Sequence, residues 1–157
     1  MQRILPAAVA ATALALPSLA YARPVTFETR LKPYGGDGAY VVLYVTDKAG
    51  AYKGTLWMAG GKAKYHRHLS DWQKLSGSAA AEIDGITGAS VGAGRTLTIT
   101  VDLADTLVDA GFEIRVDTAV ENMRDNPSEV VTPLTTAGAG KAVRGRGYVE
   151  TFTYKLP

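Results

Sequence analysis

The segment from Asp84 to Ser90 carries the clearest sign of chemistry in the chain. It combines one carboxylate and two hydroxyls with residues that have almost no side chain, and the glycine- and alanine-rich stretch 91–94 follows it. Such a backbone lets another protein approach closely. A hydroxyl in this setting suits the acceptor role in phosphoryl transfer, in which the enzyme mainly positions the reactants and stabilises charge. The segment therefore predicts a site where a bulky group is attached to the protein.

The segment resembles the signal that the FAD:protein FMN transferases of bacterial periplasms recognise. That signal is Asp, two variable residues, Ser or Thr, Gly or Ser, Ala, and then an acceptor Thr or Ser. The fixed positions are filled here by Asp84, Thr87, Gly88 and Ala89, and Ser90 falls on the acceptor. The resemblance implies FMN joined to the Ser90 hydroxyl through a phosphoester, with AMP leaving from FAD. The competing interpretation is an ordinary flexible turn, because Asp-Gly starts turns and Gly-Ala-Ser is common in loops.

Residues 1–22 have the composition of an export signal peptide. Arg3 supplies a positive charge, an apolar run rich in Ala and Leu follows, and Ala20-Tyr21-Ala22 is a small-residue cleavage site. The run is short for a membrane span, which favours cleavage after Ala22 over an anchor. The mature protein is then expected to begin at Arg23, to contain no transmembrane segment and, in a Gram-negative cell, to be periplasmic.

Residues 23–157 are numerous enough for one domain with its own core. Of the 17 basic residues in the chain, one lies in the signal peptide, which leaves 16 against 15 acidic residues and a formal charge of +1. This balance favours neither nucleic acid nor an anionic membrane as a partner. The chain has no Cys, which excludes disulfides, thiolate metal sites, thiol catalysis and a cupredoxin-type copper site.

The pattern of residues 23–157 is mainly that of β-structure. Pro133 interrupts one candidate strand and predicts an edge position for it. About seven strands with turn signals between them predict an all-β fold, specifically an Ig-like antiparallel β-sandwich. The expected strands are 25–32, 39–46, 52–58, 96–102, 112–120, 129–136 and 148–156, with the second and third forming a hairpin.

One short helix and one long loop interrupt the predicted strands. Residues 65–75 are the helical candidate, in which Leu69, Trp72 and Leu75 recur at three-residue spacing and are expected to face the core. Residues 76–95 show no strong periodicity. Because a loop of that length in a compact domain is usually functional or disordered, we interpret 76–95 as the element that presents the acceptor.

The chain as a whole resembles domain-of-unknown-function family 2271, small exported proteins found beside flavin transferases and membrane flavoreductases. The shared features include the hairpin, the Leu69…Trp72 segment, and the turn 108–112 before a strand that ends near Glu121. The resemblance implies an electron carrier with covalent FMN and no substrate reaction of its own. Its implied partners are the FAD:protein FMN transferase, which loads FMN from FAD, and a membrane flavoreductase or other exported redox proteins.

Several aromatic and imidazole side chains offer further chemistry. His66 and His68 would share a face in a strand and bind a metal there, but no third ligand is evident, which favours a metal-free surface pair. Tyr65, Trp57 and Trp72 have rings on which a flavin could stack. Core packing is the simpler interpretation for the tryptophans, and the sequence leaves Tyr65 open as a flavin contact.

A basic loop and a possible nucleophile complete the candidates. Lys141, Arg144 and Arg146 could meet a phosphate or an acidic partner, or simply keep a loop soluble. Ser90 lacks the Ser-His-Asp spacing and the strand–turn–helix elbow of a hydrolase nucleophile, so no catalytic residue is expected. Two functions remain: an electron carrier with FMN at Ser90, or an unmodified periplasmic sandwich that binds protein or carbohydrate.

Overall fold

The computed structural model describes residues 21–77 and 82–157. Residues 1–20 of the expected signal peptide and residues 78–81 of the expected loop lie outside the described residues. The helical parts are a 3₁₀ helix (Ala63–His68), the α-helix α1 (Ser70–Ser76) and a 3₁₀ turn (Asp105–Leu107). The strands are β1 (Ala22–Leu31), β2 (Tyr40–Thr46), β3 (Tyr52–Ala59), β4 (Thr87–Gly88), β5 (Thr96–Ala104), β6 (Glu113–Ala119), β7 (Asn126–Pro133) and β8 (Val149–Lys155).

These strands form two sheets, which confirms the all-β sandwich. One sheet has the order β5-β1-β8 and the other the order β4-β3-β2-β6-β7. Neighbouring strands are antiparallel except β3 and β4, which run parallel. The expectation of a purely antiparallel arrangement is therefore wrong at this edge. The reason is the helical crossover between β3 and β4, since only a long connection lets the chain return in the same direction.

The core lies between the sheets and is built from alternating side chains. On β1, Val25, Phe27 and Leu31 are completely buried. The ring of Phe27 packs against those of Phe152 and Tyr154 on β8, with centroids 6.1 and 6.4 Å away. This alternation is typical of a strand with one face in the core and one in water. In contrast, β2 is almost continuously buried, because it lies in the middle of the five-stranded sheet and both of its faces are covered.

The helical segment covers the outer face of the five-stranded sheet. Leu69 and Trp72 are buried there, as their spacing predicted, but Leu75 is 36% exposed. The prediction is wrong for Leu75 because three residues fall short of the 3.6-residue helical turn, so successive steps of three drift away from the core. The segment is also not one helix, since the backbone of Leu69 has ψ 69° and separates the 3₁₀ helix from α1.

A buried carboxylate fastens α1 to the sheet. Asp117 on β6 accepts hydrogen bonds of 2.8 Å from the Tyr44 hydroxyl, the Trp72 backbone N–H and the Ser128 backbone N–H. The Trp72 indole N–H also donates to Thr55 Oγ1 on β3 at 2.8 Å. The helix is thus bonded to the central part of the sheet, and it fixes the position of the 3₁₀ helix that precedes it.

β7 is an edge strand, which confirms the edge position predicted from Pro133. It is the last strand of the five-stranded sheet, but it runs from Asn126 to Pro133 instead of 129–136. Pro133, which has no N–H to donate, is the last residue of this strand. Among the described residues, no helix has both the length and the apolar character needed to cross a bilayer.

Candidate functional site

Ser90 lies between two backbone anchors. On one side, the Gly88 carbonyl of β4 accepts a hydrogen bond of 2.8 Å from the chain that leaves β3. On the other side, Val91 and Ala39 exchange two backbone hydrogen bonds of 2.7 and 2.9 Å. Only Ala89 and Ser90 separate the anchors. The segment is therefore tied to the fold two residues before Ser90, at Gly88, and directly after it, at Val91.

The start of the segment is a folded turn. Glu82 accepts hydrogen bonds from the Tyr52 hydroxyl and from a backbone N–H of β3. Ile83 is buried against the outer face of the five-stranded sheet. The Thr87 hydroxyl donates to the Ile83 carbonyl at 2.7 Å. Of the two hydroxyls in the motif, the one on Thr87 is therefore engaged within the turn.

Gly88 has no room for a side chain. A Cβ atom at this position would lie 2.8 Å from Cζ2 of Trp57. Trp57 is half-buried on β3, and its indole Nε1 is buried without a hydrogen-bond partner among the described residues. The Trp57 ring thus packs directly on the backbone of β4. This contact gives Gly88 a structural role. The half-buried Trp57 ring also packs against the main core, as the core-packing interpretation expected, so it connects the core to the segment that carries Ser90.

The two motif ends face solvent. Asp84 and Ser90 are both exposed, as is Ala89 beside the acceptor. The Asp84 carboxylate makes no hydrogen bond or ion pair with another described residue. Behind Ser90 lies Gly38, where an added Cβ would be 2.6 Å from Ser90 Oγ. The acceptor hydroxyl therefore rests on a bare stretch of backbone and is open on its other side.

A cleft of about 460 Å³ opens beside Ser90. Its walls come from the loop before β2, the 3₁₀ helix and the turn after β6. This volume lies within the range of small-molecule sites. Besides Ser90, the lining includes Asp37, Tyr40, Lys62, Tyr65, Arg67 and Glu121.

Two tyrosine rings form one wall of the cleft. Tyr40 and Tyr65 meet edge to face, with centroids 5.5 Å apart and planes at 77°. The Tyr65 hydroxyl donates to Glu121 at 2.9 Å, and the Tyr40 hydroxyl accepts from the Lys62 backbone N–H at 3.1 Å. The Tyr40 ring also lies on Gly60, where a Cβ would come within 2.5 Å of it. Both rings are therefore held in place before any ligand arrives.

The cleft carries charges of both signs. Lys62 and Arg67 are exposed cations on its lining, and neither forms an ion pair with another described residue. The Nζ atom of neighbouring Lys64 lies 4.8 Å from the centroid of the Tyr65 ring. Asp37 also lines the cleft. A ligand with a planar ring and an anionic group would find partners for both parts here.

The two histidines do not form a metal pair. His66 is only 8% exposed and donates from Nε2 to the Gly60 carbonyl at 2.8 Å, so the expectation of a surface position is wrong for His66. The 3₁₀ helix turns it inward, where its ring meets Trp72 edge to face at 6.2 Å. His68 Nδ1 lies 3.0 Å from Asp125. Within residues 21–77 and 82–157, no group of three His, Asp or Glu side chains could hold a metal ion.

The basic loop does not reach the cleft. Lys141, Arg144 and Arg146 are exposed and do not line it. Arg146 donates instead to the carbonyl oxygens of Pro127 and Ser128, at 2.6 and 3.1 Å. These contacts tie the loop to the start of β7, which is a structural role.

Reasoning from the sequence singled out Ser90 and Tyr65, which the structure places on the same cleft, but it missed Tyr40, Lys62 and Arg67. The available signal was the interleaving of cations with an aromatic residue in 62–67. That signal is weak because it equally describes a solvated helix face.

Comparison with family models matches residues 22–151 to a family described as a predicted periplasmic protein, DUF2271. Comparison with curated proteins and with solved structures found no match. The matched range begins with the first residue of β1 and ends inside β8, so it includes both sheets, the motif and the cleft. The chain therefore belongs to the DUF2271 family of predicted periplasmic proteins.

Proposed function

We propose that this protein is a periplasmic electron carrier that holds FMN covalently, through a phosphoester to the Ser90 hydroxyl. The observation that supports the proposal is the position of the motif: its acceptor is an exposed hydroxyl at the edge of a cleft of about 460 Å³. The residues present fit the group. The lining offers aromatic rings for a planar ring system, and Lys62 and Arg67 offer positive charge near a phosphate.

The chain takes part in the attachment as a substrate. The Ser90 oxygen forms a bond to the phosphorus of the FMN half of FAD, the pyrophosphate P–O bond breaks, AMP leaves and the hydroxyl proton is released. The FAD:protein FMN transferase supplies the charge stabilisation that phosphoryl transfer needs. The contribution of this chain is an unhindered oxygen in a fixed place, next to the small side chain of Ala89 and between two backbone anchors.

Electron transport is the role that follows from the attachment. FMN supplies the redox chemistry when it is bound, and the protein holds and orients it. A covalent bond suits an exported protein, because a dissociable cofactor would be lost by dilution outside the cell membrane. In this role a membrane flavoreductase reduces the carrier, another exported redox protein oxidises it, and the carrier transforms no substrate of its own.

Export with cleavage after Ala22 belongs to the same proposal. β1 includes Ala22, and the next residue, Arg23, forms an ion pair with Asp105. A mature chain that begins at Arg23 keeps this pair and loses one terminal residue of β1. Removal of residues 1–22 is therefore compatible with an intact first sheet.

The test is to co-express the full chain with an FAD:protein FMN transferase, recover it from the periplasm and measure its intact mass and flavin absorbance. We expect a chain that begins at Arg23 and carries one FMN. Ser90→Ala should carry none, with an unchanged melting temperature because an exposed serine contributes little to stability. Ser90→Thr should still be labelled.

Asp84→Ala tests recognition by the transferase and should be labelled about tenfold more slowly. It should melt like the wild type, because the Asp84 carboxylate bonds to no described residue.

Two results would contradict the proposal in different ways. Flavin on Ser90→Ala would move the acceptor to Thr87 or another hydroxyl. An unlabelled wild type, in cells where the transferase labels a second substrate protein, would remove the carrier role altogether. It would favour the unmodified binding module, for which the cleft would be the binding site.

A further inference from the structure

We infer that the cleft beside Ser90 is a docking site for the isoalloxazine ring, so that the flavin folds back onto the protein instead of projecting into solvent. The inference rests on the proposed attachment of FMN to Ser90. Ser90 itself lines the cleft, together with Tyr65 and Tyr40. A group joined to the Ser90 oxygen therefore starts at the cleft wall, and its short ribityl chain keeps the ring close to the two tyrosines.

The aromatic wall is already in its binding arrangement. The Tyr65 ring is held by its hydrogen bond to Glu121, and the Tyr40 ring by Gly60 and by the Lys62 backbone N–H. Because the two planes stand at 77°, they form a corner. A planar ring that stacks on one of them has its edge against the other, and both arrangements are favourable for aromatic groups. Fixed rings also lose little conformational freedom on binding, which reduces the entropic cost.

The charges of the cleft suit the rest of the ligand. Lys62 and Arg67 line it without ion-pair partners among the described residues, so they are free to meet the phosphate or the electron-rich oxygens of the ring. Lys64 and Lys62 lie near the Tyr65 ring, with Nζ atoms 4.8 and 6.0 Å from its centroid. These are flexible ends of long side chains, and they can move aside when another ring stacks on Tyr65.

Because the flavin is tethered at Ser90 in this proposal, a weak affinity of the cleft for the ring is enough to keep the ring bound. A ring on a short flexible linker has an effective concentration on the order of millimolar at its site. An intrinsic dissociation constant of about 0.1 mM then keeps the ring docked roughly nine tenths of the time. The cleft therefore needs to bind free FMN only modestly, and this affinity can be measured without the transferase.

The first experiment uses protein made without transferase and titrates it with free FMN, following the flavin fluorescence. We expect saturable binding with a dissociation constant of about 0.1 mM or lower. Tyr65→Ala should weaken it by about fivefold to tenfold through lost stacking, and Tyr65→Phe should retain it. Lys62→Gln should weaken FMN more than riboflavin, because it removes a partner of the phosphate. Leu75→Ala, on the exposed side of α1, is the control and should bind like the wild type.

The second experiment measures how well iodide quenches the flavin of the labelled protein. We expect quenching at least about fivefold weaker than for free FMN, and its recovery in labelled Tyr65→Ala. Labelled protein that is quenched like free FMN would overturn the docking inference and leave the carrier proposal standing. A wild type that the co-expressed transferase fails to label, but that binds free FMN in a Tyr65-dependent way, would support the flavin site and contradict the attachment. Failure of both labelling and binding would overturn both.

Discussion

At the scale of single residues, the close contact of the Gly88 backbone with the Trp57 indole leaves no space for a Cβ atom at position 88. We predict that Gly88→Ala destabilises the protein by about 1–3 kcal/mol, as overpacking does, because the added Cβ would lie 2.8 Å from the indole. The displaced β4 should also slow FMN attachment at Ser90. Urea denaturation and the labelling rate measure the two effects.

Gly61→Ala is the matched control for this prediction. A Cβ at position 61 meets nothing within 4 Å, so its stability should stay equal to wild type or rise slightly. Trp57→Leu in the Gly88→Ala background should recover part of the loss by removing the ring that the methyl group strikes. If the effects of Gly88→Ala and Trp57→Leu on the free energy of unfolding simply add in the double variant, the indole contact is not the cause of the destabilisation.

At the scale of elements, α1 depends on the carboxylate of Asp117. We predict that Asp117→Ala lowers the free energy of unfolding by about 3 kcal/mol or more, because three donors from Tyr44, Trp72 and Ser128 lose their acceptor inside the protein. Hydrogen exchange should show α1 and the adjoining 3₁₀ helix opening before the sheets do. Equal protection of α1 in the variant and the wild type would contradict this role.

The same carboxylate gives the protein a defined pH response. Burial raises the pKa of Asp117 above its ordinary value of 3.8, although its three hydrogen bonds act in the opposite direction. The folded state thus binds the proton more tightly than the unfolded chain. The stability from this proton is fully present below pH 3.8 and is lost as pH rises through the folded-state pKa. The stability of wild type relative to the non-titrating Asp117→Asn should therefore fall over this range, and urea denaturation at several pH values measures it.

At the scale of the whole molecule, the segment around Ser90 touches the sandwich core at its two ends, through Val91 and through Trp57, which packs on Gly88. We predict that Phe27→Ala lowers stability by about 3–5 kcal/mol, because Phe27 is fully buried against Phe152 and Tyr154. Below its melting temperature, however, the variant should receive FMN at the wild-type rate. A labelling defect as large as the stability defect would show that the two regions are coupled.

The sequence predicted the sandwich because its main strands have strong local patterns. β5 alternates strictly between apolar and polar residues, and β2 is an almost unbroken apolar run, so the burial of each could be predicted from its own sequence. The inward turn of His66 comes with contacts to Gly60 and Trp72, each six residues away, and the spacing of apolar residues does not contain these contacts. The cleft is the feature that is hardest to predict from the sequence. Its residues Tyr40, Tyr65 and Ser90 come from three separate parts of the chain, and no periodicity relates them.

The backbone hydrogen bonds at the two anchors that flank Ser90 hold this residue in place relative to the sheets. Gly88, two residues before Ser90, and Val91, directly after it, are bonded to Gly60 and Ala39, so the point of attachment stays close to one place on the sheet edge. A group fixed at Ser90 therefore moves relative to the sheets only through its own linker, and any larger reorientation toward a second partner requires rotation of the whole domain.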